Sequence, residues 1–258
     1  MAADGGVQSV HRAIGMLGCF GGGDPSLSLS DLSRRMELPT STTHRLARTL
    51  AGAGFLEQEA RTGRYRLGPS ITELGQLSFH RRGLHRIAPE LAELARVTSA
   101  TVDLAVRNDR HAVILSGGSL DPDSGVGLRR PLHSTALGKV LLAWAPEGRA
   151  DLEALGPLRA LTGRTIVDHA ELRAELGRVR EAGYALNDGE SHDGIRTVAV
   201  PVLDRLDHVR YALAVRSTPR VMSDARIGWF VTHARACARA LEVLLLPPAE
   251  RRPSATGQ

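Results

Sequence analysis

Apolar positions recur at three- and four-residue intervals through the first part of the chain. Near residue 98 that pattern gives way to short apolar runs bounded by turn residues, which predicts two domains. Val10, Ala13, Ile14 and Leu17 predict a first helix capped by Ser9 and running to Phe20, with Gly21, Gly22, Gly23 and Pro25 stopping it. Ser28 and Asp31 have the spacing of a capping box, and Leu27 with Leu32 that of a hydrophobic staple. A second helix is therefore expected over Leu29–Met36. Pro39 disfavours helical geometry in the residue before it, so that helix ends near Leu38. A third helix, Thr40 to Ala53, turns Thr43, Leu46, Ala47 and Leu50 inward.

Gly52 and Gly54 end the third helix, and strands are expected at Phe55–Glu59 and Tyr65–Leu67 around a turn containing Gly63. Helix, helix and two-stranded ribbon in this order make a winged helix-turn-helix. The outer face of the third helix carries Ser41, Thr42, His44, Arg45 and Arg48 with no acidic residue among them. Hydroxyls and guanidinium forks in that arrangement suit phosphate oxygens and guanine edges. Arg61, Arg64 and Arg66 flank the wing, where they are expected to reach backbone or minor groove. The bland alternative is a small three-helix domain whose arginines face water; capping, turn spacing and the polar face together favour a DNA reader.

Residues 69 to 97 read as a helical linker interrupted near Gly83 and Pro89. Ile71, Leu74, Leu77 and Ser78 define one early face, which is expected to pack against a partner subunit, and Leu84, Ile87, Leu91 and Leu94 continue burial afterwards. Beyond it, strands are expected at Thr101–Arg107, Ala112–Ser116, Thr197–Leu203 and Tyr211–Arg216. Helices are expected at Ser134–Trp144, Asp168–Ala182 and Asp224–Leu245. The fold class is α+β, with an antiparallel sheet covered by helices and able to hold a small molecule. The domain organisation expected is a flexible start at 1–8, the winged domain at 9–68, the linker at 69–97, a second domain at 98–246 and a flexible tail at 247–258.

Composition changes the picture only a little. The 258 residues carry 33 basic and 28 acidic side chains, a formal charge of +5 that permits DNA association without requiring it. Cys19 and Cys237 are far apart and have no neighbouring ligand partners, so neither a zinc module nor a disulfide is expected. Asp121 and Asp123 lack a third ligand, so no metal is expected, and no motif asks for a cofactor. Without a secretory signal or an apolar run of membrane-spanning length, a cytoplasmic protein is expected. His133, Ser134, Asp188 and Glu190 are residue types that could make a hydrolytic centre. No nucleophile elbow accompanies them, Ser134 more simply caps a helix, and an enzyme is not expected.

The chain resembles the IclR family of bacterial transcription regulators over nearly its whole length. In the first domain the likeness rests on Val10, Arg12, Ala13, Leu38, Pro39, Ser41, Thr42, His44, Arg45, Leu46, Leu50, Gly54 and Tyr65 to Gly68. In the second it rests on Pro131 to Lys139 (PLHSTALGK), on Gly183-Tyr184-Ala185, and on Glu190, Gly194, Ala199, Pro201 and Val202. The resemblance implies a winged reading head, a linker helix and a GAF-like effector domain. It also implies a homodimer or homotetramer on palindromic or repeated operator DNA, and a small organic effector such as a carboxylate or an aromatic catabolite. The recognition positions fall on Ser41, Thr42, His44, Arg45 and Arg48, and the effector cavity around Gly127, Ser134, Thr135, Asp188, Glu190, Thr197 and Ser217. Many relatives have cysteine where this chain has Thr197, which argues against a thiol-dependent response; Ser191 replaces the second residue of a common acidic pair. Repression is the direction expected, with activation by the same architecture, or a small-molecule-binding enzyme, as alternatives.

Overall fold

Helix α1 spans Gln8–Gly18 and passes through a 3-10 turn at Cys19–Gly22 before Gly23 leaves helical geometry. Val7, whose carbonyl accepts from Val10 and His11, starts this helix without a side-chain cap, so Ser9 lies inside it and does not cap it. The buried stripe also differs from the expected one. Ala13, Met16, Leu17 and Phe20 face the core, whereas Val10 and Ile14 are 53% and 62% exposed. Two apolar stripes run along this helix, and among the described residues the one containing Met16 packs on the core.

Helix α2, Leu29–Met36, begins at the expected capping box. Ser28 Oγ accepts from the Asp31 N–H at 3.1 Å, and the Asp31 carboxylate accepts from the Ser28 N–H at 3.1 Å. These bonds hold the Asp31 carboxyl below its ordinary 3.8. Leu27 and Leu32 are both buried beside it, as a staple requires. The helix ends two residues before Leu38, because Glu37 enters the left-handed region at φ 52°. Helix α3, Thr40–Gly52, then buries Thr43, Ala47 and Leu50, with Leu46 packed partly against the same core. Strands β1, Leu56–Gln58, and β2, Tyr65–Leu67, pair antiparallel with Glu57 opposite Arg66. Helix α4, Pro69–Arg81, buries none of its residues within the chain. Leu74 and Leu77 are 52% and 44% exposed.

The structure is a computed structural model describing residues 7–117, 129–146 and 152–253. Its backbone contacts divide it into the units Met1–Arg81 and Arg82–Gln258, a division inside the segment expected as a linker. Gly83, at φ 72°, precedes helix α5, Ala88–Thr98, which buries Leu91 and Leu94. The sheet of the second unit has six antiparallel strands in the order β5-β4-β3-β8-β7-β6. These are β3 Thr101–Asn108, β4 His111–Ser116, β5 Arg129–Pro131, β6 Ala185–Asp188, β7 Arg196–Leu203 and β8 Val209–Ser217. Strands β5 and β6 are short edge strands absent from the sequence reading.

Helices α6, Ala136–Ala143, and α7, His169–Ala182, cover one face of the sheet, and α8, Ile227–Leu245, packs on β7 and β8. The α6 face is lined with small residues, including Ala105, Ala112, Ala199, Ala212 and Ala214, which let a helix lie close to the strands. Gly138 takes this further. A Cβ there would sit 2.2 Å from the Leu132 carbonyl oxygen, so only glycine fits. The cap of α6 is Thr135, which accepts from the Gly138 N–H at 3.1 Å; Ser134, the residue expected to cap, precedes it. Asp168 caps α7, whose Leu172, Leu176 and Val179 are buried, and Gly183 ends it at φ 75°. Residues 247–253, expected as a free tail, include a 3-10 turn at Pro248–Glu250 whose Glu250 carbonyl accepts from the Arg205 N–H.

Candidate nucleic-acid interface and ligand site

The burial of Thr43, Ala47 and Leu50 fixes which face of α3 points outward, since helical geometry puts residues one position away on another side. Ser41, His44, Arg45 and Arg48 are exposed, and Thr42 is half-buried beside them. His44, Arg45, Arg48 and Thr49 line a shallow recess of ≈ 340 Å³ on the same face. Within the described residues no ion pair involves Arg45 or Arg48. These side chains remain available for an outside anion.

The wing arginines behave differently from one another. Arg61 is exposed at the turn. Arg64 folds inward, donating to Ser26 Oγ at 2.9 Å and to the Ser26 carbonyl at 2.7 Å, with Asp31 at 3.9 Å. Arg66 pairs across the ribbon with Glu57, its register partner. The three therefore do not form one projecting basic edge.

In the second unit, strand register decides which polar residues share a surface. Asn187, Thr197, Arg216 and Thr101 are consecutive partners across β6, β7, β8 and β3. They share the face covered by α6 and α7 with Ala199 and Ala214, because side chains alternate along a strand. Asp188, Arg196 and Ser217 form the adjacent row, which points to the opposite face. There Arg196 binds Asp188 through two nitrogens at 2.8 and 2.9 Å and reaches the Met222 carbonyl and Asp224. The Arg196 hydrogen bonds hold the Asp188 carboxyl below its ordinary 3.8, against a smaller opposing effect of burial.

Beside the first row lies a buried polar network. Asn187 donates to the Ser134 carbonyl at 3.1 Å and accepts from the Glu190 N–H at 2.8 Å. Lys139, 1% exposed, donates to Glu190 at 2.6 Å, to Glu175 at 3.1 Å and to the Leu186 carbonyl at 3.1 Å. Burial raises the Glu190 carboxyl above its ordinary value, with the Lys139 ammonium opposing that rise. Burial likewise lowers His133, whose Nε2–H donates to the Arg159 carbonyl at 3.0 Å. Among the described residues, Ser134 Oγ and Glu190 Oε2 are buried without a hydrogen-bond partner. Further along the face, Arg216 lies 3.9 Å from the buried carboxylate of Asp103. Arg130 feels both charges, and burial lowers the pKa of its guanidinium.

Two family models cover most of the chain. The IclR helix-turn-helix domain matches residues 9–60, and the bacterial transcriptional regulator IclR C-terminal domain matches residues 79–243. The chain belongs to the IclR family. It is 34% identical over 251 residues to the HTH-type transcriptional regulator XynR of Escherichia coli K12, covering 94% of this chain and 99% of that one. The crystal structure of a putative IclR transcriptional regulator from Silicibacter sp. TM1040 superposes with a TM-score of 0.83 at 27% identity, over 97% of this chain and all of the other. An IclR homologue from Microbacterium hydrocarbonoxydans, solved in complex with 4-hydroxybenzoate, gives 0.77 at 26% identity over 92% and 99%. As an IclR-family member the chain is a DNA-binding transcriptional regulator with an N-terminal helix-turn-helix domain and a C-terminal α/β effector domain.

Within this IclR fold the residues expected at the effector site do not all come together. Thr197 and Ser134 lie on the side covered by α6 and α7, the latter through its bond to Asn187. Asp188 and Ser217 occupy the other face. Thr135 caps α6 and Glu190 holds Lys139, so both have structural duties. Gly127, Asp121 and Asp123 lie outside the described residues. Asn187 and Arg216 share a row with Thr197 and were not singled out from the sequence. Period-two alternation could have found them once Thr197 was taken as facing inward, but only with the register known. Among the described residues, no group of three His, Cys, Asp or Glu side chains could hold a metal ion, and no helix is long and apolar enough to cross a membrane.

Proposed function

We propose that this IclR regulator is a repressor that binds palindromic or repeated operator DNA as a homo-oligomer and is released by a small organic anion. The observation that carries the reading is the outward face of α3. Ser41, His44, Arg45 and Arg48 are exposed on one side of a helix that contains no acidic residue. Arg45 is assigned to base edges and Arg48 to phosphate. Arg61 is the wing residue assigned to DNA, since Arg64 and Arg66 are held by partners inside the unit. The exposed apolar stripe of Val10 and Ile14 and the unburied helix α4 support assembly of two reading heads.

The effector site is assigned to the row of Asn187, Thr197 and Arg216 under the start of α6. Arg216 supplies the positive charge for a carboxylate, and the unbonded Ser134 hydroxyl supports a polar ligand nearby. The 4-hydroxybenzoate bound by the Microbacterium homologue, an aromatic carboxylate, supports that class of effector. Repression is the simpler direction, because occupancy of a promoter suffices for it, whereas activation needs a further surface for polymerase. Effector control requires different effector affinities in the DNA-bound and free states.

Selection of duplexes from a random library by the purified protein tests the first part, with enrichment of one repeated sequence expected. Light scattering on that complex gives the number of chains. Titration of the selected duplex with aromatic and aliphatic carboxylates tests the second. An Arg216→Ala variant should keep DNA affinity and lose the response, and equal responses in both proteins would remove Arg216 from the site.

A further inference from the structure

Strand β6 stops pairing with β7 at Ala185 opposite Ala199, yet β7 runs on to Leu203. Val200 to Leu203 are therefore bonded to β8 alone, and their other margin opens onto a cleft of ≈ 1030 Å³. That margin cannot accept an added strand. The Leu203 N–H is occupied by Glu242 at 3.3 Å, and Pro201, two residues back on the same side, has no N–H. A peptide paired by its backbone is thus a poor occupant.

The chemistry around the cleft points elsewhere. Val243, 55% exposed, provides apolar surface with the buried Trp144, Val200 and Ala238 in the wall behind it, while Arg205, Arg235, Arg239 and Arg251 surround it. Among the described residues none of these four arginines has a carboxylate partner. Arg235 donates to the Ala182 carbonyl and Arg251 to the Leu246 carbonyl. The two carboxylates lining the cleft, Glu242 and Asp207, both face a fifth arginine, Arg252. Scattered guanidinium groups are simply hydrated, but four converging on one concavity leave a local surplus of positive charge beside an apolar wall. None of Asn187, Thr197, Arg216 or Ser134 lines this cleft.

We propose that the cleft is a second ligand site, separate from the Thr197 row, that binds a small organic polyanion bearing two or more carboxylate or phosphate groups. The guanidinium groups meet the anionic groups in forked geometry, and Val243 covers the carbon body. The site stands independently of which effector the other face takes.

Trp144 reports on it directly, since the chain has only two tryptophans and the other, Trp229, lies on the exposed side of α8. The full-length Trp229→Phe protein is titrated with citrate, with pyrophosphate, and with sodium chloride at matched ionic strength. A saturable change in Trp144 emission with citrate or pyrophosphate, and none with chloride, is expected. The better of the two probes identifies carboxylate or phosphate as the preferred group. Adding Arg239→Glu should raise the half-saturation by about tenfold or more, the loss of one charge-assisted contact, whereas adding Arg45→Ala should leave it unchanged. If circular dichroism shows Arg239→Glu to be misfolded, the Arg205→Gln, Arg251→Gln double variant carries the same expectation. The proposal fails if neither probe saturates in the millimolar range, or if a folded cleft variant binds as the parent does. It also fails if the cleft variants alter only duplex affinity or only the mass of the oligomer, since the cleft would then be a phosphate-backbone surface or an interface between copies.

Discussion

The outer face of α3 and the polar side of the six-stranded sheet contain similar residue types put to opposite uses. On α3, Arg45 and Arg48 are exposed and hold no ion-pair partner among the described residues, so their hydrogen-bonding capacity is free for an outside anion. Around α6, Lys139, Glu175, Glu190 and Asn187 bond one another, and Arg196 holds Asp188. The difference teaches that polarity in a sequence marks a binding site only when the fold leaves it unspent. Among the described residues of the second unit, the unspent groups include the Ser134 hydroxyl, one Glu190 carboxylate oxygen and the arginines without a carboxylate partner around the β7 margin.

The largest expected effect tests the claim that the network around α6 is structural. Lys139→Ala would leave Glu190 and Glu175 beside an emptied buried position, and breaking a buried pair costs about 3–5 kcal/mol. Urea unfolding of the second unit should show that loss, while duplex affinity per folded molecule should hardly move. A wild-type midpoint would place Lys139 among the unspent groups and break the contrast.

Arg45→Ala should do the reverse. Loss of a base-edge contact is expected to weaken the selected operator about 10- to 100-fold, with thermal melting unchanged. Arg48→Ala should instead weaken all duplexes alike and lower the slope of log affinity against log salt by about one. If Arg45→Ala bound every sequence as tightly as before, the base-reading assignment on α3 would be wrong.

Ser28→Ala removes the reciprocal cap of α2 and should cost the first unit about 1 kcal/mol, read by denaturant unfolding. The smallest effect concerns pH. Because Arg196 lowers the folded-state pKa of Asp188 below 3.8, the pair adds stability above that value and loses it as pH falls through the lower folded-state value. Asp188→Asn should flatten the acid limb of a stability profile for the second unit. An unchanged acid limb would mean the pair adds nothing measurable.

How much of this was legible beforehand depended on how far apart in the chain the deciding residues lie. The α2 cap, the inward face of α3 and the end of α7 at Ala182 are set by neighbours within four or five positions, and the structure has them as read. The α1 stripe was misassigned because that helix carries two apolar stripes, and local spacing does not say which one the core takes. The wing arginines were grouped because nothing near Arg64 in sequence signals Ser26, which lies 38 residues away.

The amino-acid sequence by itself determined the order of helices and principal strands, the reading head with its acid-free helix, and family membership, since each rests on short-range pattern or on motifs. Only the tertiary structure decided that Asn187 and Arg216 join Thr197 while Asp188 and Ser217 turn away. It alone also brought arginines from a turn, a helix and the 246–253 segment around the margin of β7. The physical reason is that strand register and the meeting of distant segments are set by packing across the whole sheet, and a shift of one residue would reverse every side chain.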